Sequence, residues 1–274
     1  MTEPTVTFVP ADPALAIARE GRGSDTLLFL HGIGGNWRNW RRQLSAFGRH
    51  FTSLAWDLRG YGDSGDYEGP CSFDDWSNDV LRVIEHFGVG QIHLVGLSLG
   101  GRIAQRFCLT HPDRVASLVL ADTRSETGNT RTPEQKQAFY DLRARPLLEG
   151  KTMADIAPSI AESLMSDSAP AYVRDELVES MCRIRPDAYL RAISANLAED
   201  YSGDVSRIHV PTLVVVGEKD RLTPPELAKQ LASEIPGARF VQILNAGHLS
   251  NIEAPELFNE ALLQFYREIG LKLD

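Results

Sequence analysis

Ser98, Asp220 and His248 have the residue types, and the order along the chain, that nucleophilic acyl transfer requires. A serine hydroxyl is a weak nucleophile at neutral pH. It becomes reactive when an imidazole takes its proton and a carboxylate holds that imidazole in the useful tautomer. Ser98 stands in Gly96-Leu97-Ser98-Leu99-Gly100, after the apolar run Gln91-Ile92-His93-Leu94-Val95. Beyond it Leu99, Ile103, Ala104 and Phe107 recur at helical spacing. A serine on so sharp a strand-to-helix turn is lifted clear of the fold at a helix N-terminus, and the small glycines beside it relieve the crowding. The pentapeptide alone occurs by chance. With a strand before it and a helix after it, it reads as a nucleophile elbow.

Asp220 follows the strand-like run 213–216 within Gly217-Glu218-Lys219-Asp220-Arg221, and His248 follows the run 240–244 within Asn245-Ala246-Gly247-His248. Both positions fall just beyond the carboxyl ends of strands, the edge where open α/β sheets place their sites. Asp122, also at a strand end, is the rival acid, and Asp220 otherwise reads as a carboxylate capping the next helix. Ser64 and Ser250 have no elbow around them. The tetrahedral intermediate needs two N–H donors for its oxyanion. Leu99, next after the nucleophile at a helix N-terminus, offers one. Ile33, within His31-Gly32-Ile33-Gly34-Gly35, offers the other. That loop lacks the Gly-x-Gly-x-x-Gly spacing of a dinucleotide site. Trp37, just after it, is the candidate substrate-binding wall, or a helix-start aromatic packed on its neighbours. The segment 57–64 reads as a structural turn.

These residues need a scaffold, and the chain describes one. Strand-like runs at 26–30, 51–56, 91–95 and 115–121 alternate with helix-like segments at 40–47 and 76–87, the latter introduced by a capping box of Ser72 and Asp75. That alternation predicts an α/β fold with a parallel sheet covered on both faces. It breaks between 123 and 208, where segments such as 132–142 and 173–181 look helical and Pro133, Pro146, Pro158, Pro170 and Pro186 divide the stretch into short pieces. It resumes with strands at 212–216 and 239–244 and helices at 224–235 and 255–269. The expected organisation is a core of 1–122 and 209–274 with a helical insertion at 123–208.

Composition narrows the partners. The 274 residues are 43% apolar and 24% charged, with 28 Lys and Arg against 37 Asp and Glu, for a net charge of −9. That balance disfavours nucleic acid and anionic membranes. The cysteines Cys71, Cys108 and Cys182 form neither a metal pattern nor a disulfide framework. With no visible signal peptide or membrane-spanning run, a soluble cytoplasmic protein is expected. Nothing here indicates an oligomeric state.

Taken together, these motifs resemble the α/β-hydrolase superfamily over nearly the whole chain. The resemblance implies an eight-stranded, mostly parallel sheet with a helical cap after the sixth strand. Gly96 to Gly101 and His248-Leu249-Ser250-Asn251-Ile252-Glu253 look most like 3-oxoadipate enol-lactonases and small-molecule carboxylesterases, although His31-Gly32 opens the oxyanion loop as in general esterases. The implied reaction is hydrolysis of a small carboxylic ester or lactone, a carboxylated enol-lactone among them, with no metal or organic cofactor. Perhydrolysis is a side reaction open to such a site. Two other readings stand beside it: carbon–carbon bond hydrolysis of ring-fission products, whose enzymes usually carry an aromatic where Leu249 stands, and a member that only binds a ligand. Arg102, Arg143, Arg145, Arg183 and Arg185 are candidate partners for a substrate carboxylate, and at least one arginine of the cap is expected to line the pocket.

Overall fold

The computed structural model describes residues 3–10, 12–125, 132–198 and 204–273. Strands β1 (Thr5–Val9), β2 (Leu15–Glu20), β3 (Thr26–Leu30), β4 (Thr52–Trp56), β5 (Ile92–Leu97), β6 (Val115–Ala121), β7 (Thr212–Gly217) and β8 (Arg239–Ile243) form one eight-stranded sheet, in the order β1-β2-β4-β3-β5-β6-β7-β8. Strand β2 runs antiparallel to β1 and β4, and the pairs from β4 through β8 are parallel. The helices are α1 (Arg41–Phe47), α2 (Phe73–His86), α3 (Leu99–Thr110), α4 (Pro133–Leu148), α5 (Met153–Leu164), α6 (Ala171–Cys182), α7 (Pro186–Ala198), α8 (Pro225–Glu234), α9 (Ser250–Glu253) and α10 (Pro255–Glu268).

Period-two alternation sorts each parallel strand between two cores. Leu28 and Leu30 of β3 pack with Trp76, Val80 and Ile103 from α2 and α3. Leu27 and Phe29 face the other way, toward Leu44, Phe258 and Phe265 from α1 and α10. Burial on both faces is why these strands read as unbroken apolar runs, and each fully buried side chain contributes roughly 1.5–3 kcal/mol. The predicted capping box is present on α2, where Ser72 N–H donates to Asp75 Oδ2 (2.8 Å) and Asp75 N–H to Ser72 Oγ (3.2 Å).

Helices α4 to α7 sit in the chain between β6 and β7, and the connecting residues 126–131 and 199–203 lie outside the described ones. The prolines do not all break this segment as the sequence suggests. Pro133, Pro170 and Pro186 stand at helix starts, but Pro146 lies inside α4 and Pro158 inside α5. The carbonyls they deprive of a donor, four residues earlier, belong to Leu142 and Ala154, both exposed and able to bond water. Hydrogen bonds tie these helices to the rest of the chain, some of them close to the loops of the site. Ser180 on α6 accepts from Asn36 Nδ2 (2.7 Å) and donates to Asn39 Oδ1 (2.9 Å), and the Leu164 carbonyl at the end of α5 accepts the N–H of His248 (2.9 Å). Among the described residues no helix is long and apolar enough to cross a membrane.

Asp57, directly after β4, organises the turn that follows it. Fully buried, it accepts the N–H of Trp37 on one oxygen and that of Asp63 on the other, each at 2.7 Å. Burial nevertheless pushes its pKa up to about 7. The folded state therefore holds this proton more tightly than the unfolded chain does. The stability it supplies is complete below the ordinary aspartate range and is lost as pH rises through about 7. In Asp57→Asn the pH slope from this group disappears, while an amide NH₂ turned on a buried N–H costs about 1–3 kcal/mol. Urea unfolding at pH 5 and pH 8 should therefore show a smaller difference between the two pH values for the variant than for the parent chain.

Candidate active site

The turn from β5 into α3 holds Ser98 at φ 54°, ψ −115°, a strained conformation for a residue with a side chain. Two positions away on either side, only glycine fits. A Cβ on Gly96 would lie 2.3 Å from the Gly100 carbonyl oxygen, and one on Gly100 only 2.1 Å from that of Leu30. Ser98 N–H donates to the Ala121 carbonyl of β6 (2.9 Å), and Thr123 Oγ1 donates to the Ser98 carbonyl (2.8 Å).

The three residues expected to act together do meet. His248 Nε2 lies 3.0 Å from Ser98 Oγ, and Nδ1 lies 2.8 Å from Asp220 Oδ2. Asp220 accepts the N–H groups of Leu222 (2.8 Å) and Thr223 (2.9 Å) on Oδ1 and the Thr223 hydroxyl on Oδ2 (2.7 Å), so its carboxylate is fixed from behind. With Asp220 accepting from Nδ1–H, Nε2 is left to accept from Ser98. The rival acid, Asp122, makes neither contact and turns its carboxylate to Gly217 and Ser250.

The loop after β3 passes over Ser98, and a Cβ on Gly32 would lie 3.0 Å from that of the serine. Ile33 and Leu99 both line the cavity above it. His31 braces the loop: Nδ1–H donates to the Gly32 carbonyl (2.8 Å), and Nε2 accepts the N–H of Leu58 (3.0 Å). Burial pushes its pKa down to about 4, which keeps the ring neutral as those two bonds require. Trp37 corrects one expectation. It is buried away from the cavity, with its indole N–H donating to Asp63 (3.3 Å), because Asp57 draws its backbone N–H toward β4. The tryptophan that lines the cavity is Trp40, stacked on Phe29 at 4.9 Å.

Residues 25–255 match the alpha/beta hydrolase fold family. The chain belongs to that family. It is 26% identical to 3-oxoadipate enol-lactonase 2 of Acinetobacter baylyi, over 93% of this chain and 94% of that one. It is 30% identical to the 2-hydroxy-6-oxononadienedioate/2-hydroxy-6-oxononatrienedioate hydrolase of Burkholderia vietnamiensis, over 90% and 88% of the two chains. Among solved structures, a thermophilic esterase from Thermogutta terrifontis, with malate bound, superposes with a TM-score of 0.85 at 29% identity, covering 98% of both chains.

In this α/β hydrolase the cavity wall carries one sign of charge. Arg102, Arg124 and Arg143 line it, and among the described residues no carboxylate does. Arg143, on α4, is the insertion arginine expected at the pocket. Arg145 instead pairs with Asp141 (3.1 Å), Arg183 with Glu179 (3.0 Å), and Arg185 donates to the carbonyls of Gly60 (3.2 Å) and Ser64 (2.9 Å). Arg124 and Thr223 also reach the site. No motif marks either position, and only the folded path of the chain brings them to the site.

Burial opposes charge on His248, but the charge of Asp220, its hydrogen bond and the Asp122 carboxylate together hold the imidazole pKa above the ordinary value, with Arg143 pulling the other way. Burial likewise opposes charge on Asp220, and His248 and the Thr223 donors hold its pKa below the ordinary value. The His248 ring, followed by NMR, should titrate above the ~6.5 of a free histidine. In Asp220→Asn the midpoint should fall, because the largest raising influences are removed. An unchanged midpoint would contradict the electrostatic coupling.

Proposed function

We propose that this α/β hydrolase cleaves a small carboxylic ester or lactone through an acyl-enzyme on Ser98. The observation that carries the reading is the unbroken hydrogen-bonded line from Ser98 Oγ through His248 to Asp220, opening on an arginine-lined cavity. As Ser98 Oγ attacks the carbonyl carbon, His248 Nε2 takes its proton, and Asp220 stabilises the imidazolium. The N–H groups of Leu99 and Ile33 hold the oxyanion; each such donor is typically worth ~10²–10³ in rate. The imidazolium then gives its proton to the leaving alkoxide. A water deprotonated by the same nitrogen attacks the acyl carbon, and Ser98 leaves with that proton as the acid is released. None of these steps requires a metal or cofactor.

The inserted helices, within 123–208, act as a cap on the core formed by 1–122 and 209–274. The substrate carries a carboxylate, as 3-oxoadipate enol-lactone does. Three arginines at the cavity support this, as do the enol-lactonase relative and the esterase solved with malate. Arg143 is the reader we assign to that carboxylate. It is half-buried, held by Ser163 Oγ at 3.2 Å and by the Phe139 ring, whose centroid is 5.5 Å away. Carbon–carbon bond hydrolysis is the second reading. The relative from Burkholderia vietnamiensis favours it, while Leu249 after the base is the feature against it.

Ser98→Ala should lower kcat on a p-nitrophenyl ester by ~10³-fold or more with the thermal transition retained, and it should abolish labelling by a fluorophosphonate probe. A parent chain that resists the probe would favour a binding-only protein. Arg143→Gln should raise KM for a carboxylated enol-lactone by ~10–100-fold, the loss of one charge-assisted hydrogen bond, and leave that for a neutral ester nearly unchanged. Equal effects on both substrates would remove Arg143 from recognition. Faster turnover of a ring-fission diketone than of any ester or lactone would favour the second reading.

A further inference from the structure

The reaction scheme leaves one buried carboxylate of the site unused. Asp122 follows β6 directly, is fully buried and holds φ +46°, where a residue with a side chain is strained. Each of its polar groups is committed to another part of the site. Its N–H donates to the Val215 carbonyl of β7 (2.9 Å), and its carbonyl oxygen lies 2.9 Å from Thr223 Oγ1, whose one proton faces the nearer Asp220 Oδ2 at 2.7 Å. Oδ1 accepts the N–H of Gly217, at the end of β7 and three residues before Asp220 (2.8 Å). Oδ2 accepts the N–H (3.1 Å) and hydroxyl (2.7 Å) of Ser250, two residues after His248. Thr223 closes the circuit, since its hydroxyl oxygen also lies 3.2 Å from His248 Nδ1.

We propose that Asp122 is a positioning residue for the reaction: one carboxylate that clamps the acid-bearing loop after β7 to the base-bearing loop after β8, and so sets where the His248 imidazole stands relative to Ser98. The inference rests on the Ser98–His248–Asp220 reading. A wholly structural strut would only hold the fold. This one is also a charge beside the base. The charged groups facing His248 are Asp220, Asp122 and Arg143; those facing Asp122 are Asp220 and His248. Burial, then the neighbouring Asp220, push Asp122 up to about 7. Ionised Asp122 favours imidazolium, and its removal makes His248 a weaker base.

The test uses Asp122→Asn and, because that variant turns an amide NH₂ toward a backbone N–H and can fail to fold, also Ser250→Ala, which keeps the carboxylate and deletes one donor. For Asp122→Asn we expect kcat lower by on the order of 10–10²-fold, the scale of a small misplacement of a reacting group, with KM within about twofold. We also expect the acid limb of kcat/KM, and the NMR titration midpoint of the His248 ring, to move to lower pH. Ser250→Ala should move both the same way by less, since losing that hydroxyl leaves Asp122 harder to ionise. Normal kcat together with an unmoved limb and midpoint in the folded variants would overturn the proposal. The ring titration repeated in Ser98→Ala needs no turnover, so it separates the two failures. Full activity of Ser98→Ala would sink the functional reading, whereas an essential Ser98 with an inert Asp122→Asn would sink this inference alone.

Discussion

The site depends on how closely backbones can approach one another around the turn at Ser98. The carbonyl oxygens of Gly100 and Leu30 lie where a Cβ on Gly96 or Gly100 would have to go, and Ser98 itself is held at positive φ by bonds from β6 and Thr123. Side chains at those glycines would separate α3 from β3 and β5. Ser98 would then be displaced from His248, and Leu99 from its place at the helix N-terminus. The strain at Ser98 persists because β5, before the turn, is paired on both sides by β3 and β6, and α3, after it, is packed into the core.

Charge on this protein is partitioned rather than merely negative. The chain carries −9, yet the cavity is lined by arginines. Many of the acidic side chains pair outward, as in Arg42 with Glu176 (2.7 Å) and Arg191 with Asp66 (2.8 Å), which tie α6 and α7 to the rest of the chain through partly exposed contacts worth little singly. A positive cavity in a negative surface focuses the field on one mouth. The same arrangement makes the base weaker, since Arg143 opposes the imidazolium that Asp220 supports. The positive charge of Arg143 and the charged form of His248 therefore pull against each other across the cavity.

The parts legible in the sequence are those in which a local pattern and a backbone demand coincide. The elbow, the capping box on α2 and the strands buried on both faces each announce themselves over a few residues. Strands β1 and β2 did not, because a hairpin at the sheet margin mixes polar and apolar residues and Phe8 stays about half exposed (54%). Pro146 and Pro158 lie inside helices, where the residues four positions earlier are exposed to water, and that exposure is a tertiary fact the local sequence does not carry. Trp37 and Trp40 are three residues apart in the same short turn. Which one meets the cavity is decided by Asp57, twenty residues further along.

That carboxylate belongs to a pattern that explains why Asp220, and not its neighbours, meets the base. Asp57, Asp122 and Asp220 each follow the carboxyl end of a parallel strand, each is buried, and each accepts two backbone N–H groups from the loops at that edge. A buried carboxylate so placed organises loops that have no sheet partners of their own. The three differ in how the donors are shared. Asp57 and Asp122 take one backbone N–H on each oxygen, and Asp122 Oδ2 takes the Ser250 hydroxyl as well. Asp220 takes both on Oδ1, so Oδ2 is left for side chains, and the imidazole of His248 reaches it at 2.8 Å. One structural device thus recurs three times at this edge, and the occurrence whose N–H donors crowd onto a single oxygen is the one able to orient a base.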